Sequence, residues 1–408
     1  MDNQLRAKIK AFISEGINEV AVQAQPDSFW QNLRNTGTEL WLDTGDMEEA
    51  EKIWSPEMTA LTTNNTLLNK EIQKGIYDGF IEDAKAIVKD LPHREQVIEI
   101  AFILNARHGL RLAKKFGGFV SVELHTDSAH NIDAIVDYGK RYFEINPEQF
   151  IVKVPYTAAG LIGAKKLREA GVKINFTLEF SARQNVMVAS IVQPNYLNVF
   201  LGRIGGYIKS AGLGDGSGVG ERTVLATQEW VTDLTKNNDE PTKLIAASLR
   251  GYEQLSALAG VDVFTMPTKV AADGKANLSG EFKSQTGEPY PVDLTEEAKK
   301  YFPEKLWDVT EKELALAQSL CNDCPADGNK LIDRVHAAGC GDMFPYLSNK
   351  DLERIADDGK IPDHEYWAAR IESEEVAIDT LLNLSGLYSF TADQKELDAR
   401  IERIIMEK

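Results

Sequence analysis

Residues 149–157 read QFIVKVPYT, an apolar and β-branched run that ends near a proline and carries a lysine in its middle. This composition is typical of a buried strand. Side chains alternate along a strand, so Lys153 shares one face with Ile151 and Pro155. A buried ammonium group is unfavourable, and burial favours the neutral, nucleophilic amine. An edge strand whose lysine reaches water would show the same pattern, so this run alone leaves both interpretations open.

Three other runs share the design of an aliphatic face and a face with one or two polar groups. They are residues 40–43 (LWLD), 120–124 (VSVEL) and 174–178 (INFTL). Their polar positions are Asp43, Ser121, Glu123, Asn175 and Thr177. A solvent-exposed sheet usually carries several long charged residues in each strand rather than single carboxylates and amides. The pattern therefore predicts strands whose aliphatic faces pack under helices and whose polar faces line a shared interior.

Strand-like segments recur along most of the chain. They lie at residues 40–43, 58–63, 119–124, 150–155, 172–178, 197–201, 244–248 and 261–266. Helical patterns lie between them, for example over residues 69–89 and 94–115. This alternation indicates right-handed βαβ units and a parallel sheet. We predict a (β/α)8 TIM barrel rather than a doubly wound sheet, because the polar positions lie near the C-terminal ends of several strands, where barrel enzymes place their chemistry.

The character of the sequence changes after about residue 268. Residues 269–291 are rich in Gly, Lys, Asp and Ser and are predicted to form a loop, and a polar, charged helical region follows. The later region has no comparable cluster of polar positions on strands. We therefore expect a catalytic barrel over residues 1–275 and a helical extension, packed on the barrel, over residues 276–408.

Composition limits the classes of partner. The chain has 408 residues and a net charge of -18, which argues against nucleic acid or an anionic membrane. It has three cysteines, an odd number that argues against a disulfide framework and for a reducing compartment, so a cytoplasmic location is expected. No apolar run approaches the length of a membrane span, and the N-terminal residues lack a signal-peptide core. The sequence leaves open whether the chain forms a homo-oligomer.

Arg203 and Arg250 lie just beyond the predicted strands 197–201 and 244–248. A planar guanidinium can bind two oxygens of a phosphate group. In so acidic a chain, two arginines at the mouth of a barrel are candidates for binding a substrate phosphate. For either arginine alone, a surface salt bridge is the commoner role.

Two other motifs are weaker. Residues 212–220 (GLGDGSGVG) lack the spacing of a dinucleotide loop and the Gly-Lys-Ser/Thr ending of a P-loop, so we predict a flexible loop at the barrel mouth. Cys321, Cys324, His336 and Cys340 could be drawn as a zinc site. The helical pattern between Cys324 and His336 argues against their convergence, so we predict ordinary thiols and no metal, with zinc as the alternative.

The ordered set of motifs resembles the transaldolase family, class I Schiff-base enzymes of the pentose phosphate pathway. The matching pieces are LWLDT (40–44), TTNNTL (62–67), VSVE (120–123), VKVPYT (152–157), NFTL (175–178), FLGRI (200–204), AASLR (246–250) and FTADQKEL (390–397). Each piece is modest alone, but their order along the chain is specific. The resemblance implies a (β/α)8 barrel and a closing helix over about 366–408. Residues 289–362 have no counterpart in the resemblance.

The resemblance also implies a reaction. A dihydroxyacetone unit would pass from a ketose phosphate (sedoheptulose 7-phosphate or fructose 6-phosphate) to an aldose phosphate (glyceraldehyde 3-phosphate or erythrose 4-phosphate). Lys153 would form the Schiff base, Asp43 would take the C4 hydroxyl proton, and Glu123 would act with Thr177 through a water. The implied substrate-binding residues are Asn64, Asn175, Asn198, Phe200, Arg203, Ser248 and Arg250. The imine is the electron sink, so no cofactor is expected.

Several positions depart from the family pattern. They are Asn65 and Thr66 for a Pro-Ser pair, His125 for an aspartate, Tyr156 for a smaller residue, Glu179 for an apolar residue and Asn198 for a serine. Two alternatives remain. Fructose-6-phosphate aldolase, which releases free dihydroxyacetone, usually has a tyrosine at the position of Phe200 and a glutamine at that of Glu123, so both residues favour the transferase. A non-catalytic phosphosugar-binding barrel is disfavoured by the intact Lys153, Asp43 and Glu123.

Overall fold

The computed structural model describes residues 2–288 and 290–407 of the chain. Eight parallel strands pair in chain order, and the last pairs with the first to close a barrel. The strands are β1 (Glu39–Asp43), β2 (Met58–Thr62), β3 (Phe119–Glu123), β4 (Phe150–Pro155), β5 (Ile174–Thr177), β6 (Tyr196–Phe200), β7 (Lys243–Ala247) and β8 (Val263–Pro267). The predicted (β/α)8 TIM barrel and the positions of its strands are confirmed.

Helices surround the barrel and continue beyond it. The helices up to the end of the barrel are α1 (Asn3–Ser14), α2 (Ser28–Arg34), α3 (Met47–Ile53), α4 (Asn65–Gln73), α5 (Asp78–Val88), α6 (His93–Phe116), α7 (Ile132–Ile145), α8 (Ala158–Glu169), α9 (Ala182–Ile191), α10 (Leu201–Ser210), α11 (Val219–Thr235), α12 (Gln254–Ala257) and α13 (Thr268–Asn277). Those that follow are α14 (Glu311–Asn322), α15 (Gly328–Ala337), α16 (Asn349–Asp358), α17 (His364–Glu372) and α18 (Ile378–Met406). The predicted helical extension is thus present at the C-terminal end. The stretch expected to resemble a closing helix contains most of α17 and all of α18.

Two local predictions were wrong. The helix expected over 69–89 is broken into α4 and α5, because Gly75 has a φ of +80° and reverses the backbone between them. The loop expected from residue 269 begins later, because Thr268–Asn277 forms α13 and buries Val270 and Ala271. Residues 278–288 have no helix or strand.

The strand alternation divides the barrel into an outer core and a polar interior. Leu40 and Leu42 of β1 are fully buried and belong to the apolar core. Trp41 and Asp43 have the opposite parity and face the interior. The Trp41 ring meets the Tyr196 ring of β6 edge to face, with centroids 4.6 Å apart, and the two rings fill the interior beneath the polar ends of the strands.

The long helix α18 lies across the C-terminal ends of the strands. The Asn383 amide donates to the carbonyl of Tyr156, after β4, at 3.1 Å and to that of Leu178, after β5, at 2.8 Å. Farther along the helix, Asp393 accepts a hydrogen bond from Thr66, in the first turn of α4. These contacts hold α18 over the barrel mouth, where barrel enzymes carry their active sites.

A buried ionic cluster joins the extension to the barrel. Arg183 of α9 is 1% exposed and bonds to Asp379 of α18 at 2.8 Å. The same guanidinium bonds to Glu313 of α14 at 3.0 Å and to Asp342 at 2.9 Å. Removing one partner from such a cluster leaves an uncompensated buried charge, which typically lowers the free energy of unfolding by about 3–5 kcal/mol.

The part of the chain that the structure describes contains no helix with the length and hydropathy of a membrane span.

Candidate active site

Lys153 lies at the centre of the barrel interior. It is 4% exposed, and its Nζ lies 3.7 Å from Glu123 Oε2 and 3.5 Å from the carbonyl oxygen of Thr63. Strand register places Glu123 of β3 beside it on one side and Asn175 of β5 beside it on the other. The strand is therefore internal to the barrel, and the edge-strand interpretation is excluded. The amine is held among carboxylate, amide and carbonyl groups.

Two phenyl rings cover the amine. Lys153 Nζ lies 6.0 Å from the centroid of the Phe200 ring and 5.8 Å from that of Phe390. The Arg203 guanidinium lies over the same rings, at 5.8 Å and 5.6 Å. Phe200 ends β6 and Phe390 belongs to α18, so barrel and extension both contribute to this environment. The π faces of such rings stabilise a neighbouring cation.

Asp43 is held at the end of β1 by a chain of hydroxyl groups. Thr62 Oγ1 donates to Asp43 Oδ1 at 2.8 Å. Because Thr62 has a single hydroxyl proton, Thr265 must donate in the 2.5 Å contact between the two threonines. Burial raises the pKa of the Asp43 carboxyl, and the charge of Lys153 partly offsets that rise.

Glu123 has a similar electrostatic setting. Burial raises its pKa, while Lys153 and a 3.3 Å hydrogen bond from the Asn65 backbone N–H to Oε2 lower it. Asp43 and Glu123 are thus two buried carboxyls whose pKa values are both lowered by the same neighbour, Lys153. Raised carboxyl pKa values favour proton exchange near neutral pH, the property required of general acids and bases.

Amide side chains form a polar layer between β3 and β6. Asn175 donates to Ser121 Oγ at 2.9 Å and accepts from the Asn198 amide at 2.7 Å. These contacts fix the orientation of both amides. Asn175 and Thr177 are fully buried, and Thr177 Oγ1 has no hydrogen-bond partner among the described residues.

A cavity of about 160 Å³ opens above the amine. The predicted site residues that line it are Asp43, Asn64, Lys153, Asn198, Phe200, Arg203, Ser248 and Arg250. The other predicted residues do not line the cavity. Glu123 contacts Lys153, and Asn175 and Thr177 are fully buried in the barrel. Most of the residues singled out from the sequence therefore converge on one cavity.

The mouth of this cavity is cationic. Arg203 is 6% exposed and its Nη1 has no hydrogen-bond partner among the described residues, whereas Arg250 is exposed. No described carboxylate lies within 4.0 Å of either guanidinium, so the salt-bridge interpretation is not borne out. Burial, together with repulsion from Arg250, lowers the pKa of Arg203 to about 10. Two unpaired guanidinium groups at one opening have the chemistry to bind an anion.

Gly202 allows these two arginines to come together. A Cβ atom at this position would lie 2.2 Å from the carbonyl oxygen of Ser248 and 2.6 Å from Arg250 Cγ. The loop after β7 therefore packs directly on the start of α10, which carries Arg203. Ser248 itself has a φ of +64°, a conformation that is unfavourable for a non-glycine residue and is held by this packing.

The sequence profile described as Transaldolase/Fructose-6-phosphate aldolase matches residues 40–323 of this chain. The chain belongs to this family. A probable transaldolase of Thermus thermophilus is 32% identical over 236 residues, which cover 57% of this chain and 88% of that protein. The transaldolase of Chlamydia felis is 27% identical over 289 residues, covering 67% and 86% of the two chains. A probable transaldolase of Dictyostelium discoideum is likewise 27% identical over 289 residues, covering 68% and 88%.

The resemblance to the transaldolase family is thereby confirmed, and the protein is an enzyme of that family. The profile match also reaches into the segment 289–362 and ends within it, at residue 323. The part of that segment beyond residue 323 lies outside the family match.

Two departures from the family pattern contact the C-terminal region. Tyr156, after β4, stacks on Phe344 with ring centroids 5.3 Å apart and planes 18° apart. His125, after β3, bonds through Nε2 to Asp398 of α18 at 3.2 Å, and its Nδ1 accepts the backbone N–H of Asp127 at 3.1 Å. Both side chains therefore help to dock the extension.

Glu179 is a different kind of departure. It is fully buried, and neither carboxyl oxygen has a hydrogen-bond partner among the described residues. Burial raises its pKa well above the ordinary value, and the nearby backbone N–H groups of Glu179 and Asn198, with the charge of Lys153, oppose the rise only in part. Burial therefore favours the neutral carboxylic acid, which is the form that suits a position where the family pattern is apolar.

Sequence reasoning missed several residues of the cavity wall. Among them are Thr62, Thr265, Lys360 and Phe390. The inward parity of the two threonines in otherwise apolar strands was a usable signal. Phe390 lay in a recognised family motif, but nothing in the sequence showed that its ring would reach Lys153.

The other sequence motifs lie elsewhere. The glycine-rich stretch 212–220 is held by a bridge between Gly214 and Leu294 and does not line the cavity. The cysteines form no disulfide, and His336 Nε2 donates to the carbonyl oxygen of Phe344 at 2.8 Å. Within residues 2–288 and 290–407, no group of three or more His, Cys, Asp or Glu side chains is arranged to hold a metal ion.

Proposed function

We propose that this enzyme is a transaldolase that transfers a dihydroxyacetone unit through a Schiff base on Lys153. The donor is sedoheptulose 7-phosphate or fructose 6-phosphate, and the acceptor is glyceraldehyde 3-phosphate or erythrose 4-phosphate. The observation that carries the proposal is the buried Lys153 amine, 3.7 Å from Glu123, in a cavity whose mouth holds two unpaired arginines. A nucleophilic amine and an anion site in one cavity suit a phosphorylated carbonyl substrate.

The first half of the reaction attaches the ketose. The lone pair of Lys153 Nζ attacks C2, and Glu123 transfers protons through a water held with Thr177 as the carbinolamine forms and loses water. Asp43 then accepts the C4 hydroxyl proton while the C3–C4 bond breaks. The bonding electrons move into the iminium group and give an enamine, and the aldose phosphate leaves. The acceptor aldehyde enters, and the same steps run in reverse.

The remaining groups would orient the sugar. The side-chain oxygen of Asn64 caps α4 by accepting the Leu67 N–H at 2.9 Å, so its NH₂ group is left for a substrate hydroxyl. Asn198 lines the cavity, and its hydrogen bond to Asn175 Oδ1 fixes the orientation of the Asn198 amide. Arg203, Arg250 and Ser248 would bind the terminal phosphate. Phe200 would pack against the carbon chain.

Borohydride trapping tests the Schiff base directly. Reduction in the presence of fructose 6-phosphate should inactivate the enzyme and leave a three-carbon adduct on the peptide that contains Lys153. Asp43→Ala should form the imine without cleaving the sugar, so its trapped adduct should carry all six carbons. Lys153→Arg keeps the charge but forms no imine and should lose turnover and labelling together. An adduct on another lysine, or an active Lys153→Arg enzyme, would contradict the mechanism.

An acceptor titration separates transfer from cleavage. Fructose 6-phosphate alone should release dihydroxyacetone slowly, and erythrose 4-phosphate should accelerate consumption of the ketose many-fold. Equal rates with and without the acceptor would favour fructose-6-phosphate aldolase activity instead. Substrate binding without either turnover or a trapped adduct would favour a non-catalytic phosphosugar-binding barrel.

A further inference from the structure

The cavity mouth contains a third cation that comes from the C-terminal extension. Lys360, in the turn between α16 and α17, lines the cavity together with Arg203 and Arg250. It is exposed, and no described carboxylate lies within 4.0 Å of its Nζ. The turn lies beyond residue 323, where the family match ends. Three cations without carboxylate partners thus meet at one opening in a chain of net charge -18.

The turn that carries Lys360 is closed by the Asp358 carboxylate. Oδ2 accepts the backbone N–H of Asp363 at 3.0 Å and the indole N–H of Trp367 at 3.2 Å. Oδ1 pairs with Arg354 Nε at 2.7 Å. Trp367 is fully buried, so the C-terminal end of the turn is anchored in the core. The backbone on both sides of Lys360 therefore has a defined position.

The turn also contacts the helix that carries Arg203. Ile361, the neighbour of Lys360, packs on α10 so closely that a Cβ atom at Gly206 would lie 3.4 Å from Ile361 Cδ1. Arg203 lies one turn earlier on the same helix. The residue of α10 that follows Gly206, Tyr207, bonds through its hydroxyl to His364 Nδ1 at 2.7 Å. Packing thus fixes the backbone of the turn that carries Lys360 relative to α10, the helix that carries Arg203.

We propose that Lys360 is a third phosphate-binding cation, supplied by the extension, and that it strengthens the preference of the enzyme for phosphorylated substrates. This inference rests on the proposed function. A phosphate monoester carries about -1.5 to -2 charges at neutral pH, which the two arginines neutralise. Lys360 adds a further positive charge at the opening. This local positive charge attracts the phosphate although the protein as a whole is acidic. As an exposed rim charge, Lys360 acts on encounter and binding rather than on the bond-breaking step.

The test compares Lys360→Gln with Lys350→Gln. Lys350 is an exposed lysine of α16 that has no described carboxylate within 4.0 Å and does not line the cavity. Calorimetry should show that Lys360→Gln binds fructose 6-phosphate and inorganic phosphate about three- to tenfold more weakly at low salt, with the difference shrinking as salt is added. KM for fructose 6-phosphate should rise by a similar factor with a smaller change in kcat. Lys350→Gln should keep the wild-type affinities and the wild-type KM. Lys360→Gln should turn over unphosphorylated fructose at the wild-type rate.

The outcomes distinguish this inference from the proposed function. If Lys360→Gln binds both anions as tightly as wild type while Arg250→Ala does not, Lys360 lies outside the phosphate site. If Lys360→Gln and Lys350→Gln lose affinity for the two anions equally, the effect comes from the net charge of the protein rather than from the position of Lys360. That result would also overturn the inference. A wild-type protein with no transaldolase turnover but with Lys360-dependent phosphate binding would refute the proposed function and support the third cation.

Discussion

Replacing Arg203 by methionine should separate substrate binding from stability. The guanidinium lies over the Phe200 and Phe390 rings, and its Nη1 has no partner among the described residues. Methionine keeps an unbranched, polarisable side chain against the rings and removes the charge. Arg203→Met should therefore lose phosphate binding while the local packing is largely kept.

The size of the loss follows from burial. A charge-assisted contact in a desolvated site is worth about 2–4 kcal/mol, which corresponds to a fall in kcat/KM of about 30- to 700-fold for fructose 6-phosphate. The kcat/KM for unphosphorylated fructose should change little.

The stability of the folded chain should not fall. Burial lowers the pKa of Arg203 to about 10, so at neutral pH the charged form is less favoured in the folded chain than in the unfolded chain. Removing it should leave the free energy of unfolding unchanged or raise it.

The control is Arg222→Met. The Arg222 guanidinium also lies over an aromatic ring, 4.5 Å from the centroid of Trp307, and does not line the cavity. Steady-state kinetics with both sugars and urea unfolding would be measured for each variant. Arg222→Met should keep the wild-type kcat/KM for both substrates. If Arg203→Met loses activity equally with fructose and fructose 6-phosphate, or unfolds more easily than the control, Arg203 is a structural residue and the phosphate binds elsewhere.

Two further predictions concern metal and pH. Turnover should survive exhaustive dialysis against EDTA because the iminium group accepts the electrons, and activity lost to EDTA but restored by zinc would refute this. His108 donates from Nε2 to the Gly45 carbonyl oxygen at 2.8 Å and accepts from the Tyr77 hydroxyl at 2.9 Å. Burial lowers its pKa from 6.5 to about 4, so the unfolded chain binds the proton first and about 3 kcal/mol of stability is lost as pH falls through this range. Urea unfolding of wild type and His108→Gln between pH 7 and pH 4 measures this, and identical pH dependences would contradict it.

The parts of the fold that could be read from the sequence depend on local alternation. Each strand can be recognised from its own residues. The alternation of side chains along the strand then assigns Asp43, Glu123 and Lys153 to the interior without knowledge of their neighbours. Helix boundaries were harder, because the polar composition after residue 268 concealed α13, whose buried face is formed by few residues. Its packing against β8 and α3, rather than its propensity, makes it a helix.

The parts of the site that could not be predicted come from distant elements. Phe390 and Lys153 are separated by more than half of the chain, and their contact depends on where α18 docks. Lys360 is an exposed lysine in a charged segment, so its sequence context gives no reason to place it at the barrel mouth. Contacts of this kind depend on tertiary packing, which no local pattern records.

The departures from the family pattern divide according to where their side chains go. Tyr156 and His125 pack on Phe344 and Asp398, which are residues of the extension, and neither lines the cavity. These two departures therefore contact the C-terminal region rather than the cavity and give no reason to expect a different reaction. Asn198 is the exception, because it lines the cavity and bonds to Asn175 at 2.7 Å. Its NH₂ group donates to Asn175 and to the Phe176 carbonyl oxygen, so the side chain offers its oxygen as an acceptor where serine would offer a hydroxyl group. A difference in sugar preference from other family members is therefore expected to arise at this position.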